Sequence, residues 1–462
     1  MEIEGRKALV LGAGKSGVES ARFLAQRGAV VALHDKKPVE EWSESARSLK
    51  ESHNVGLLSG DIPSWLLDQI DLVVISPGVP TSTIPARYVD RKDGEVIAEV
   101  ELAYRFLKGK VVGITGSNGK TTTTALIGEL LKSAGIRTQV GGNIGTPLLS
   151  LVGTSTDDTW TVAELSSFQL ETIVDFRPSV GLCLNVTPNH LDRYEGFHGY
   201  AAAKHRLFMN QTADDVAILN ADDEITASWA SGLKAKVVMF SVTEELHEGV
   251  FLRANELICR SDEGEQVLTT RDDIFLRGMH NVENVLAAFA AGMTCGVSVA
   301  SMRETIKGFK GVEHRIEFVA EIDGVRFFND SKATSVDATS KALEALSGGD
   351  GMTVLILGGR GKNAPYAPLK PLIGLSVRAL ILVGEDADNI ESQLNGTVEI
   401  FRAGSIEDAA AKGFEIAKRG DAVLLAPACA SFDMFKSFEE RGNVFKASVR
   451  RLGETAKANS QV

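Results

Sequence analysis

Short apolar runs recur along the chain, at residues 7–11, 30–34, 72–75, 111–115, 159–165, 180–184, 325–328, 353–357, 379–383 and 421–426, and each gives way to a glycine or polar cluster. Runs of this length, bounded by turn residues, predict buried strands. Between them the pattern lengthens into helical stretches, from the first glycine loop to about 27, at 97–107, 122–132 and 200–210, and from His280 onward. Strand, loop and helix in alternation predict an α/β fold of mostly parallel sheets, with the ligand-facing loops at the carboxyl ends of the strands. Residues 216–276 break the rhythm with short strands and acidic turns, 141–145 read as a turn or binding loop, and the polar tail after Glu454 is expected to fray. Boundaries near 98 and in the glycine-containing stretch 308–312 predict three domains: 1–98, 99–311 and 312–462.

The loops carry the chemistry. The 111–115 run turns through Gly116, Ser117, Asn118 and Gly119 and enters a helix at Lys120, Thr121 and Thr122. Small residues let backbone N–H groups face an anion, and the helix N-terminus adds partial positive charge. Lys120 adds a full charge, and the Thr121 hydroxyl can ligate Mg²⁺. This is a nucleoside-triphosphate loop of variant form, since Ile114 stands where the strict pattern wants glycine. Glu164, towards the end of the 159–165 strand, is then the expected second Mg²⁺ anchor; without the loop it would read as a salt-bridged strand end. His190 follows the 180–184 strand, so its loop should open on the same edge, and a neutral imidazole can complete a magnesium or manganese site. His198 and His205 read as surface residues, and Lys204, taken alone, as a solvated helix lysine.

The first strand enters Gly12-Ala13-Gly14-Lys15-Ser16-Gly17, with Asp35 ending the second. By itself this is a dinucleotide fingerprint, with the acid on a ribose hydroxyl. Ser76-Pro77-Gly78-Val79, at another strand end, suits a ligand-facing loop, and Lys36-Lys37 either meet phosphates or are simply solvated. Asn281 and Asn284 share one helix face, where they either read a purine or cap the helix.

Composition narrows the class. The chain has 462 residues and a net charge of −12, which disfavours a nucleic-acid partner. Four scattered cysteines without a C-x-x-C pair fit a reducing compartment and no structural zinc. No apolar run approaches a membrane span, so no membrane insertion is expected, and the start leads directly into a strand. A cytoplasmic protein is expected.

The order G-A-G-K-S-G, S-P-G-V, G-S-N-G-K-T-T, G-G-N-I-G, E-L-S-S-F-Q-L-E, N-H-L-D-R, H-N-V-E-N, E-H-R-I-E, N-D-S-K-A-T and A-C-A-S-F-D-M-F-K-S-F-E-E-R-G resembles the ATP-dependent Mur ligases over essentially the whole chain. The variant phosphate loop is also that family's form. The resemblance implies a Rossmann-like UDP-binding domain, a central P-loop ATPase-like domain and a C-terminal Rossmann-like α/β domain. It implies a monomer that uses ATP and two Mg²⁺ ions to join D-glutamate to UDP-N-acetylmuramoyl-L-alanine in peptidoglycan precursor synthesis. Lys15, Ser16, Asp35, Ser76 and Gly78 would hold the UDP moiety, and Asn143, Ser166 and Gln169 would contact substrate. Gly116 to Thr122, Asn281, Asn284, Arg315 and Asp330 would bind ATP, with Lys120 also catalytic. Thr121, Glu164, His190 and Lys204 would hold metal, Lys204 after carbamylation by CO₂; His190 and Lys204 would be catalytic too. Thr334, Lys362, Ser431 and Phe438 would grip D-glutamate. The chain departs from the family at Asn189, where other members carry aspartate, and at Arg360-Gly361, where an aspartate often precedes the lysine.

A carboxylate is a poor acyl donor, because its leaving group would be oxide. Transfer of the γ-phosphoryl of ATP makes an acyl phosphate, which the amine of D-glutamate then attacks. The third domain is expected to close over ATP and keep water out. An NAD-dependent oxidoreductase would leave the phosphate loop, Glu164 and His190 without a role. A nucleotide-gated regulatory protein would bind ATP without turnover, and a diaminopimelate ligase would show an Asn-Pro-Arg motif that this chain lacks in its third domain.

Overall fold

The computed structural model describes residues 1–85, 88, 94–143, 145–188, 194, 196–276, 278–346, 351–361 and 365–459. It forms two compact units, Met1–Phe309 and Lys310–Val462.

The first unit holds two sheets. One is five-stranded and wholly parallel, in the order Gly56–Ser59, Val30–Asp35, Lys7–Leu11, Leu72–Ile75, Glu95–Ala98. Its central strands Lys7–Leu11 and Leu72–Ile75 are apolar throughout their buried length because helices cover both faces. The other has nine strands. Thr138–Gly142, Trp160–Glu164, Lys110–Thr115, Val180–Cys183, Val216–Asn220, Lys236–Ser241 and Gly249–Arg253 run parallel, and the hairpin Glu256–Ser261 and Gly264–Thr270 adds an antiparallel edge. The strand that feeds the phosphate loop, Lys110–Thr115, lies between Trp160–Glu164 and Val180–Cys183. Glu164 and the start of the 184–188 loop therefore reach the same sheet edge as Lys120.

One apolar core runs through both sheets of this unit, from Val10, Phe23 and Leu24 through Ala103 to Leu148, Ile173 and Leu207. Phe23 and Phe106 meet edge to face across it, 5.1 Å between ring centroids. The linker helix Glu99–Tyr104 is fastened beside this core by Glu101, which is fully buried. Its carboxylate accepts the backbone N–H groups of Val174, Asp175 and Phe176 at 2.9, 3.0 and 2.9 Å, and Nε of Arg105 at 2.8 Å. Glu101→Ala would strand three amides and take one partner from Arg105, which keeps Glu95, and is expected to cost about 3 kcal/mol or more in denaturant unfolding, seen as a lower midpoint.

The second unit is a six-stranded sheet in the order Glu317–Ile322, Val325–Asn329, Ala422–Leu425, Thr353–Gly358, Val377–Val383, Glu399–Arg402, parallel except for the first strand. The α/β class and the parallel-dominated sheets agree with the sequence reading.

Local differences have local reasons. The helix expected over 97–107 begins only at Glu99, because 95–98 pair with Leu72–Ile75 as an edge strand. Gly141 and Gly142, read as a loop, end a strand paired with Ala163 and Glu164. A Cβ on Gly142 would lie 2.2 Å from the Glu164 carbonyl oxygen, so glycine serves close strand approach there. The tail does not fray at Glu454: the last helix runs Phe438–Asn459, placing Phe445, Val449, Leu452 and Ala456 against the second unit's core. His205, read as a surface residue, is half-buried against Trp229, 5.0 Å between centroids; His198 is exposed. Among the described residues no helix is long and apolar enough to cross a membrane, and all four cysteines are free thiols.

Candidate functional site

The phosphate loop is shaped by its glycines and held by its neighbours. Gly116 and Gly119 have φ of 151° and 81°, and a Cβ on Gly119 would sit 2.1 Å from Asn284 Oδ1. The N–H of Ser117 donates to the Asn185 carbonyl at 2.9 Å, and that of Asn118 to Asn185 Oδ1 at 2.8 Å. The Ser117 hydroxyl donates to the Thr187 carbonyl, accepts from the Thr187 N–H at 3.0 Å, and lies 3.1 Å from the Tyr200 hydroxyl. Asn185, Thr187 and Tyr200 escaped the sequence reading. Tyr200 stands four residues before Lys204 on one helix, a same-face spacing that could have exposed it.

Lys120 opens the helix Lys120–Ser133 and folds its ammonium over the loop, donating to the carbonyls of Gly116 at 2.8 Å and Ser117 at 2.9 Å. Lys204 donates to the same Gly116 carbonyl at 2.7 Å, with its Nζ 4.5 Å from the centre of the Tyr200 ring. Lys204 is 1% exposed, so it is not a solvated helix lysine. Burial, with repulsion from the Lys120 ammonium added, pulls it down to about 7. Cys183, on the adjoining strand end, is buried, and its thiol is pushed up to about 12, so it stays neutral and unreactive.

Thr121 is buried, and its hydroxyl donates to Glu164 Oε2 at 2.8 Å. The other carboxylate oxygen accepts from Asn143 Nδ2 at 3.1 Å, and the Asn143 N–H donates to the Glu164 carbonyl at 2.8 Å. Glu164 is thus a buried carboxylate held by neutral donors. A hydroxyl and a carboxylate together are the hard oxygen donors that Mg²⁺ takes, and they fit it. Among the described residues no group of three or more His, Cys, Asp or Glu side chains forms a complete cage. His190 lies outside the described residues. Thr122 follows on the first helical turn, half-buried.

Ser166 and Gln169 form a capping box at the strand end beyond Glu164, and the buried amide nitrogen of Gln169 has no partner among the described residues. Asn281 and Asn284 do share a helix face: Asn284 Nδ2 donates to Asn281 Oδ1 at 3.2 Å, and Thr123 donates to Asn284 Oδ1 at 3.3 Å. Asn284 therefore buttresses the first turn of the phosphate-loop helix.

In the five-stranded sheet, a cleft of about 500 Å³ opens at the strands' carboxyl ends, lined among others by Gly12, Lys15, Ser16, Asp35, Ser76 and Gly78. All five UDP-binding expectations meet there, joined by His34, Lys36 and Thr83. A Cβ on Gly17 would lie 1.7 Å from the Gly12 carbonyl oxygen, which is why the turn needs glycine. Asp35 accepts the Ala13 N–H at 2.9 Å and the Lys37 N–H at 3.1 Å, so it also shapes the loop.

In the second unit, Asp330 is buried at a strand end, and desolvation pushes its carboxyl up to about 7, moderated by Arg315. Arg315 itself is exposed. Thr334 is half-buried, Ser431 is 2% exposed, and Phe438 packs edge-on against His314 with 6.0 Å between centroids. Lys362 lies outside the described residues. His314, Ile316 and Ala428 take φ of 61°, 43° and 57°, a conformation that side chains with a Cβ rarely adopt.

Three family models match consecutive parts of the chain: "Mur ligase MurD-like, N-terminal domain" at 6–98, "Mur ligase middle domain" at 114–292 and "Mur ligase, glutamate ligase domain" at 314–429. The chain is 47% identical over 449 residues to the UDP-N-acetylmuramoylalanine–D-glutamate ligase of Acidobacterium capsulatum, covering 96% of each chain. It is 46% identical over 458 residues to the protein of the same name from Koribacter versatilis, covering 99% of this chain and 100% of that one. Among solved structures, a pseudomurein peptide ligase type C from Methanothermus fervidus shares the fold at TM-score 0.55 and 18% identity, over 97% of this chain and 100% of that one. So does a UDP-N-acetylmuramate-alanine ligase from Thermotoga maritima, at TM-score 0.55 and 17% identity over 97% and 99%.

Proposed function

The chain belongs to the Mur ligase family, and we propose from its geometry how its residues carry out the ligation. It is an ATP-dependent ligase that forms a C–N bond, adding D-glutamate to UDP-N-acetylmuramoyl-L-alanine in peptidoglycan precursor synthesis. The observation that carries the site assignment is the meeting of Lys120 and Lys204 on the Gly116 carbonyl, beside the buried Thr121–Glu164 pair.

The substrate carboxylate is activated as an acyl phosphate. The loop N–H groups and Lys120 stabilise charge on the transferring phosphoryl group, where positioning and electrostatics supply most of the catalysis. Thr121 and Glu164 would hold Mg²⁺, and His190 and carbamylated Lys204 would serve a second ion. When bound, Mg²⁺ would supply charge neutralisation at the phosphate groups. Lys204 is suited to carbamylation because burial and Lys120 favour its neutral amine, the form that attacks CO₂. Arg315 and Asp330 are assigned to ATP binding, and Thr334, Lys362, Ser431 and Phe438 to D-glutamate binding. Asn143, Ser166 and Gln169 contact the acyl acceptor's sugar-peptide partner; the unpartnered Gln169 amide nitrogen supports this. The protein works as a cytoplasmic monomer.

The cleft of the first sheet is proposed to take UDP. UDP-N-acetylmuramoyl-L-alanine is expected to slow hydrogen exchange at residues 12–17 and 76–79, and NAD to leave it unchanged. Saturable protection of those segments by NAD would count against this assignment.

A further inference from the structure

Arg441 lies in the helix Phe438–Asn459 and is 2% exposed, a guanidinium taken almost wholly out of water. Among the described residues its side-chain donations all end on neutral oxygens. Nε donates to Ser331 Oγ at 2.9 Å, Nη2 to the carbonyls of Ser331 at 2.9 Å and Cys429 at 3.2 Å, and Nη1 to the Ala430 carbonyl at 3.4 Å. The Ser331 hydroxyl passes the chain of bonds on to the Phe438 carbonyl at 2.8 Å. Arg441 thus ties together the loop after Val325–Asn329, the loop after Ala422–Leu425, and the first turn of its own helix. These are the segments that carry Thr334, Ser431 and Phe438.

A buried cation whose hydrogen bonds end on neutral oxygens is costly even with the Asp433 carboxylate favouring its charge, and two well-packed apolar side chains would hold two loops together at less expense. Nearby Cys429 does not neutralise it, because burial pushes that thiol up to about 11. Burial lowers the guanidinium itself only to about 10, so it remains charged at neutral pH. The packing is close: a Cβ on Gly359 would fall 2.3 Å from the Ala430 carbonyl oxygen and 3.1 Å from Nη1.

We propose that Arg441 is a positioning residue of the amino-acid pocket, fixing the loops that carry Thr334, Ser431 and Phe438 in the arrangement that takes the amino acid. The inference rests on the placing of D-glutamate at those residues.

The test is steady-state kinetics of phosphate release on Arg441→Gln and Arg441→Lys, with Ser431→Ala and Thr334→Val in parallel. Arg441→Gln is expected to raise KM for D-glutamate by about 10- to 100-fold, the scale of lost hydrogen bonds from a charged group, and to leave KM for UDP-N-acetylmuramoyl-L-alanine unchanged. Arg441→Lys, which keeps the charge but not the fork, should recover part of the loss. An unchanged KM for D-glutamate in Arg441→Gln, or an equal rise for all substrates, overturns the proposal. If Ser431→Ala and Thr334→Val raise that KM while Arg441→Gln does not, only the role of Arg441 falls. If none of the variants moves it, the pocket itself is misplaced. Should Arg441→Gln fail to fold, Arg441→Lys decides: a rise confined to D-glutamate supports the role, and a uniform rise or none removes it.

Discussion

Lys120→Ala is expected to keep the fold and lose ligation by about 10²–10³-fold, the usual effect of removing one preorganised charge-stabilising donor. The fold should survive because the Lys120 ammonium is only half-buried and bonds to carbonyls of its own loop, Gly116 and Ser117. The loop is held independently through Ser117 and Asn118 to Asn185 and Thr187. Activity should fall because no other described cation opens the phosphate-loop helix, whose first turn is otherwise threonines. Phosphate release at saturating ATP, alongside thermal unfolding, separates the two effects. A well-folded Lys120→Ala protein at the parent rate would remove the phosphate loop from the reaction.

Much of this architecture was legible because strand-buried residues and glycine loops leave strong local marks. Gly12–Gly17 and Gly116–Gly119 sit where backbone must approach backbone or an anion, and periodicity placed both at strand ends. What the sequence could not show is set by partners distant along the chain. Nothing local distinguishes 95–98 from a helix start; pairing of Ile97 with Val74 makes it a strand. Glu164 read as a second Mg²⁺ anchor only by virtue of the phosphate loop; the contact itself, a bond from Thr121 43 residues earlier, is a matter of the fold. Lys204 read as a solvated residue because a lysine between an alanine and a histidine carries no signal of burial; its depth comes from Gly116, 88 residues away. Arg441 was visible as part of a motif, but its bonds to Ser331 lie 110 residues back.

Lys204→Ala is expected to lower activity severely, and a small carboxylate such as acetate to restore part of it. The buried site leaves little room for a permanent cation beside bound Mg²⁺, since like charges repel strongly where water is scarce. Carbamylation joins the neutral Nζ to the carbon of CO₂ and releases a proton. The product carries a negative charge and acceptor oxygens in place of the ammonium. Lys204→Ala removes that anion but leaves space, which an added carboxylate can fill. Lys204→Arg fills the space with a fixed cation that cannot be carbamylated, so carboxylate should not rescue it. The contrast separates lost chemistry from lost packing, because a packing defect would respond alike to acetate in both variants. The measurement is phosphate release at fixed saturating ATP and Mg²⁺, with and without acetate or bicarbonate. Parent-level turnover of Lys204→Ala without any additive would reduce Lys204 to a brace on the Gly116 carbonyl and require the second ion's ligands to be found elsewhere.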